Sequence, residues 1–154
     1  MKFSPNDRKI TERMAPGALC RDGFLGDDPR PYWEIIDHDR STVENLGTSC
    51  GDIAEKLGKI LKEAMVAYGT PVKVGEDLVA AYRESMGRIP SPFGGGVFPK
   101  GEIELTDTRT DRTVVFTPLT VQLIGEHCFF QGKGSRYRLE PETLAKMLDL
   151  GEER

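Results

Sequence analysis

Proline and glycine punctuate this chain closely enough to bound most of the elements it can form. Ala15-Pro16-Gly17 stops a short helix near the N-terminus, Gly47 separates two apolar periodicities, Tyr68-Gly69 ends the second, and Gly151 ends the last. Residues 89–101 hold three prolines and four glycines, too many for a regular element. That stretch is either a connection or a mobile flap, with Phe93, Val97 and Phe98 as anchors.

The segments between these breaks have readable periods. Ser4-Pro5-Asn6-Asp7 combines a cap, a first-turn proline and an acid that favours the helix dipole. Residues 19–29 read as a structured loop pinned by Phe24 and Leu25. From Pro31, Tyr32, Ile35, Ile36, Val43 and Leu46 fall largely on one helical face. Thr48 or Ser49 caps a second helix with Ile53, Leu57, Ile60, Leu61, Ala64 and Met65 inward. The short turn at Gly47 makes the two an antiparallel helical hairpin.

The remainder alternates between strand and helix. Val72-Lys73-Val74 and residues 78–82 flank Gly75-Glu76-Asp77, which suits strand, turn, strand, although residues 78–86 also have helix-forming composition. The turn favours the hairpin. Residues 102–106 and 113–117 form a second hairpin around the polar run 107–112. Thr117-Pro118 starts a helix with Leu119, Leu123 and Ile124 inward, and Tyr137 and Leu139 look extended. Glu140-Pro141-Glu142 then opens a helix burying Leu144, Met147 and Leu148. The expectation is one α+β domain over residues 1–154. An N-terminal helical hairpin packs on a small antiparallel sheet of two hairpins, and the helix from Leu119 and the C-terminal helix cover one sheet face.

Composition narrows the function classes. A chain of 154 residues with net charge −4 has the bulk to bury a core without a metal or disulfide staple. Its surface as a whole is no nucleic-acid footprint, although a local basic patch can still bind phosphate. Cys20, Cys50 and Cys128 form no CxxC pair, and an odd number without framework spacing reads as free thiols in a reducing compartment. The N-terminal MKFSPNDRKI has no apolar h-region, and no segment approaches the roughly 20 apolar residues of a membrane helix. A cytoplasmic protein with no membrane association is expected.

The densest chemistry lies at residues 127–138, which carry Lys133, Arg136 and Arg138 and no acid. Gly132-Lys133-Gly134-Ser135 can turn several backbone N–H groups to one side, a concavity that holds anions. With the segment extended, Arg136 and Arg138 share a face. His127, at a helix end, is either favoured in its charged form by the C-terminal dipole or serves as a general acid/base. The alternative for the whole stretch is a solvated basic turn whose arginines pair with the chain's acids. A cross-chain pairing of the stretch with the acidic loop of Asp22, Asp27 and Asp28 would make both structural. Alternatively, Asp27 or Asp28 caps the helix beginning near Pro31.

Established templates fail one by one. A P-loop needs glycine where His127 stands and Ser or Thr where Gly134 stands. No GxSxG surrounds Ser135. The cysteines and histidines lack zinc spacing, the acids lack the EF-hand pattern, and Pro99 breaks a GxGxxG reading of residues 94–99. No metal and no cofactor is expected.

At Pro16-Gly17 through Asp22-Gly23-Phe24-Leu25-Gly26, and again at Gly132-Lys133-Gly134-Ser135 with Tyr137-Arg138-Leu139-Glu140-Pro141, the chain resembles a group of bacterial proteins described as hypothetical cytosolic proteins. That resemblance implies a bacterial, cytosolic setting and carries no activity, ligand or catalytic residue. Three readings of function remain open. The first is a small binding or regulatory module recognising an anionic ligand or a protein partner through Gly132, Lys133, Gly134, Ser135, Arg136 and Arg138. The second is an enzyme acting on a phosphorylated or carboxylated metabolite with His127 as acid/base, and the third is a homo-oligomeric interaction protein without a small-molecule site.

Overall fold

The computed structural model describes residues 4–151. Their elements make an α+β fold: helices α1 (Pro5–Met14), α2 (Tyr32–Asn45) and α3 (Cys50–Val66), then strands β1 (Val72–Lys73), β2 (Leu78–Arg83), β3 (Arg88–Pro90), β4 (Val97–Pro99), β5 (Glu102–Asp107) and β6 (Arg112–Phe116), then helices α4 (Pro118–His127) and α5 (Pro141–Met147). None of these helices is long and apolar enough to cross a membrane.

The helix starts follow their capping residues. Ser4 Oγ accepts from the Asp7 N–H at 3.0 Å while Asp7 accepts from the Ser4 N–H at 3.1 Å, a reciprocal box at the head of α1. Asp7 also accepts from the Tyr32 hydroxyl at 2.5 Å, which ties α1 to α2. Ser49 caps α3, and Thr117 caps α4 with Pro118 as its first residue. Pro31 precedes α2 with no side-chain cap. Neither Asp27 nor Asp28 caps that helix, because the loop carries them to the glycine corner instead.

A four-stranded antiparallel sheet has the order β1-β2-β5-β6. Ala80 stands opposite Leu105, Tyr82 opposite Ile103, and Ile103 opposite Phe116. Ala80, Ile103, Leu105 and Phe116 share one face and are fully buried, the period-two pattern of a half-covered sheet. Residues 78–83 are therefore strand, and the helical alternative for them falls away. The outer face carries Arg83, Glu102, Glu104 and the opposed pair Thr106 and Thr113, whose hydroxyls meet at 2.8 Å.

Helix α3 meets the sheet at β2 and packs along α4, whereas α2 meets α5. The turn at Gly47 joins α2 to α3 as its φ of +82° allows, yet the principal partners of these two helices are α4 and α5. Gly125 of α4 lies against Ala54 of α3, where an added Cβ would approach the alanine methyl to 3.0 Å. The buried apolar residues form two clusters. The larger joins α3, the inner sheet face, Ile124 and α5, and the smaller joins Ile10, Met14, Phe24, Ile35, Leu119, Leu123 and Phe129, with Ile36 touching both.

Residues 89–101 hold more regular structure than their glycines and prolines imply. Strands β3 and β4 pair antiparallel, Ile89 opposite Phe98, and three of the four glycines, Gly94, Gly95 and Gly96, occupy the tip between them. Short paired strands tolerate proline because each has an edge that needs no N–H donor. Phe93 and Phe98 anchor this ribbon in the smaller cluster, and Val97 is exposed.

Candidate functional site

The glycine-rich corner is occupied by the protein's own acidic loop. The Gly132 N–H donates to Phe24 O at 2.9 Å, the Lys133 N–H to Asp28 Oδ2 at 3.2 Å, and the Ser135 N–H to Gly132 O at 3.1 Å. In return the Asp27 N–H donates to Lys133 O at 2.9 Å. Three of the four N–H groups expected to cradle an anion are thus engaged within the chain. Gly26, at φ +57°, sits so close to the backbone of Lys133, Gly134 and Ser135 that no Cβ fits, and Gly132 is pressed against Leu25 O in the same way. Asp28, paired to Arg30 at 2.7 Å, is held far below the usual carboxylate range, first by that guanidinium and also by the Lys133 N–H.

Beyond the corner the backbone is not extended. Residues 133–138 make two successive turns, closed by Ser135 N–H to Gly132 O and Arg138 N–H to Ser135 O, both at 3.1 Å. The arginines therefore part. Arg138 goes inward to Asp39, at 2.5 and 3.1 Å, and to Glu140, at 3.1 Å, while its Nη1 also donates to Gln131 O at 2.8 Å. Burial alone would lower its pKa, but the two carboxylates reverse this and hold it above the ordinary arginine value. Arg136 goes outward to Glu102 at 3.1 Å, with its guanidinium 5.3 Å from the centre of the Tyr137 ring. The Lys133 side chain is exposed.

His127 closes α4 with its ring stacked on Phe93, centroids 4.0 Å apart and planes 15° apart. Phe93 in turn meets Tyr32 and Phe129 edge-on. The helix dipole alone would favour the charged imidazolium. The opposite holds, since desolvation against the aromatic cluster lowers the pKa and Glu126, 4.0 Å from Nε2, offsets it only in part.

The cysteines also depart from expectation. Cys50 and Cys128 form a disulfide, linking the first turn of α3 to the residue that ends α4, and only Cys20 is free. The inference of a reducing compartment from three free thiols loses its premise. Residues 78 apart in sequence carry no framework spacing, so only the packing of α3 on α4 reveals the pair.

The concave feature nearest this chemistry is a cleft of about 460 Å³. It lies where the loop at Cys20-Arg21-Asp22, the end of β2, the start of β5 and the Arg136-Tyr137 turn converge. Glu102, opposite Arg83 in the sheet register, takes hydrogen bonds from Arg136 and the Tyr137 hydroxyl and an ion pair from Arg83 at 3.7 Å. Burial first, and then Glu102, pushes the Tyr137 hydroxyl up to about 12, so it remains a donor at neutral pH. Arg21 and Lys100 line the same cleft, and their side chains make no ion pair or hydrogen bond with the other described residues. His127, Lys133 and Arg138 do not line it, whereas Gln131, Arg136 and Tyr137 do.

No protein-family model matches this chain, and no curated protein or solved structure is significantly similar to it. The chemistry of the cleft is therefore the guide to function. Its cations come from separate stretches of sequence: Arg21 between Gly17 and Gly23, Arg83 at a strand end, Lys100 after the β3–β4 ribbon, and Arg136 in the basic corner. Neither Arg21, Arg83 nor Lys100 sits in a motif, and each is separated from the others by at least one whole element or loop. Only the antiparallel pairing of β2 with β5 and the docking of the 19–29 loop bring them together.

Proposed function

We propose that this protein is a binding module for a small anionic molecule, held in the cleft between the 20–24 loop, the β2–β5 end of the sheet and the Arg136-Tyr137 turn. The basic stretch contributes Arg136, Tyr137 and Gln131, and its glycine backbone serves to hold the acidic loop. The observation that carries the reading is the presence of Arg21 and Lys100 on a concave wall without acids of their own among the described residues. Four cations and three carboxylates line the cleft, an excess of one positive charge. Its volume falls in the range of about 300–1,000 Å³ usual for small-ligand sites. His127 stands outside the cleft and takes no part in the reading.

Thermal unfolding with millimolar acetate, inorganic phosphate, phenylacetate or citrate tests it, because a ligand that binds only the native state raises the melting temperature. At least one of these anions should raise it, and Arg21→Ala and Lys100→Ala should each remove the rise while Lys133→Ala leaves it. The bound anion should also slow alkylation of Cys20, whose half-buried thiol lines the cleft. No stabilisation by any of the anions would overturn the proposal, as would a rise removed by Lys133→Ala and kept by the other two variants.

A further inference from the structure

The walls of the cleft specify more about its occupant than negative charge, and this inference rests on the anion-binding reading. The apolar floor open to the cleft is that of half-buried Ile89, since Phe24 and Leu119, each 3% exposed, line it but leave almost nothing to cover. Such a floor gains nothing from a compact hydrated ion and favours a ligand that brings apolar surface to cover it.

The rim limits the charge. Asp22 and Glu84 are exposed there beside Arg21 and Lys100, and like Arg21 and Lys100 they have no ion pair within the described residues. A citrate or a nucleotide triphosphate would satisfy the two cations and then place further negative charge beside those carboxylates, a repulsion that works as selection. Arg83 and Arg136 cannot readily relieve it, because both already serve Glu102.

One polar group lies deeper. Gln131 lines the cleft at 4% exposure, and its Oε1 accepts from Ser135 Oγ at 2.5 Å. Its amide nitrogen has no acceptor among the described residues, a donor left for whatever enters.

From this arrangement we infer that the ligand is an amphipathic monocarboxylate. Its single carboxylate sits between Arg21 and Lys100, and an aromatic or short alkyl body lies over Ile89. Selectivity then comes from the floor as much as from the rim.

Calorimetric titration of the full chain with acetate, hexanoate, phenylacetate and citrate decides the matter. Hexanoate and phenylacetate should bind at least about tenfold more tightly than acetate, as burial of their apolar surface requires, and more tightly than citrate. Lys100→Ala should weaken both. Ile89→Ser should remove most of the advantage over acetate. If citrate binds more tightly than phenylacetate and hexanoate and still depends on Lys100, the monocarboxylate inference falls and the anion-binding reading survives. Equal affinity for acetate and hexanoate sinks the inference in the same way. If none of the four binds, the monocarboxylate inference falls, and the anion-binding reading then rests on inorganic phosphate alone.

Discussion

A guanidinium that enters a protein interior must bring its counter-charges with it, and Arg138 does so with Asp39 on one side and Glu140 on the other. Removing one partner of such a pair typically costs about 3–5 kcal/mol, because the other charge is left buried alone. The residue is thereby structural, although in sequence it is indistinguishable from Arg136 two positions earlier. His127 makes the same point with opposite sign. Its folded pKa lies below the unfolded value of about 6.5, so the neutral ring is the one the fold prefers. Its contribution to stability is present above about pH 6.5 and lost as the pH falls through the folded pKa. An NMR titration should accordingly place the His127 midpoint below about 6.5, and Phe93→Ala, which uncovers the ring, should move it upward. A midpoint at or above the unfolded value would show that the helix dipole outweighs desolvation.

At the scale of elements, the feature that most shapes the molecule is the mutual docking of the 19–29 loop and the 131–135 corner. Two glycines make it possible, since Gly26 and Gly132 each occupy a place where a Cβ would overlap the opposing backbone. Gly26→Ala would add left-handed strain to a steric clash, a combined cost of about 2–4 kcal/mol, read as a lower denaturant midpoint. Because this docking also positions Arg21 and Phe24, the same variant should weaken anion binding in the cleft. A variant as stable as the parent would mean the loop has another way to sit. The short β3–β4 ribbon belongs to this scale too. Its residues looked irregular because glycine and proline count against strands on average, while here Gly94, Gly95 and Gly96 fill the tip and Phe93 and Phe98 supply the anchoring.

For the whole molecule, the Cys50–Cys128 disulfide clamps the start of α3 to the end of α4 across 78 residues of sequence. A cross-link of that span removes much of the unfolded chain's freedom and typically stabilises by about 2–4 kcal/mol. Chemical denaturation with and without a reductant should reveal a loss of that size, and Cys50→Ser with Cys128→Ser should reproduce it. An unchanged midpoint would show that the α3–α4 packing around Ala54 and Gly125 suffices. The clamp and the cleft are joined along the chain by Phe129, Phe130 and Gln131, which follow Cys128 directly and are all buried.

Local chemistry in the sequence was enough to determine the helix starts at Ser4 and Thr117, to narrow that of α3 to Thr48 or Ser49, and to determine the strand pair around residues 107–112 and the α+β class. Each of these depends on residues within a few positions of one another, so the signal is complete in a short window. The disulfide, the inward turn of Arg138, the neutral His127 and the assembly of Arg21, Lys100 and Glu102 around one cleft were decided by tertiary structure alone. They are pairings between residues tens of positions apart, chosen by which faces pack and which charges lose their water. No periodicity or spacing records that choice, and the basic corner illustrates it. Its glycines and cations were visible in the sequence, but what they face is settled by a loop more than a hundred residues earlier.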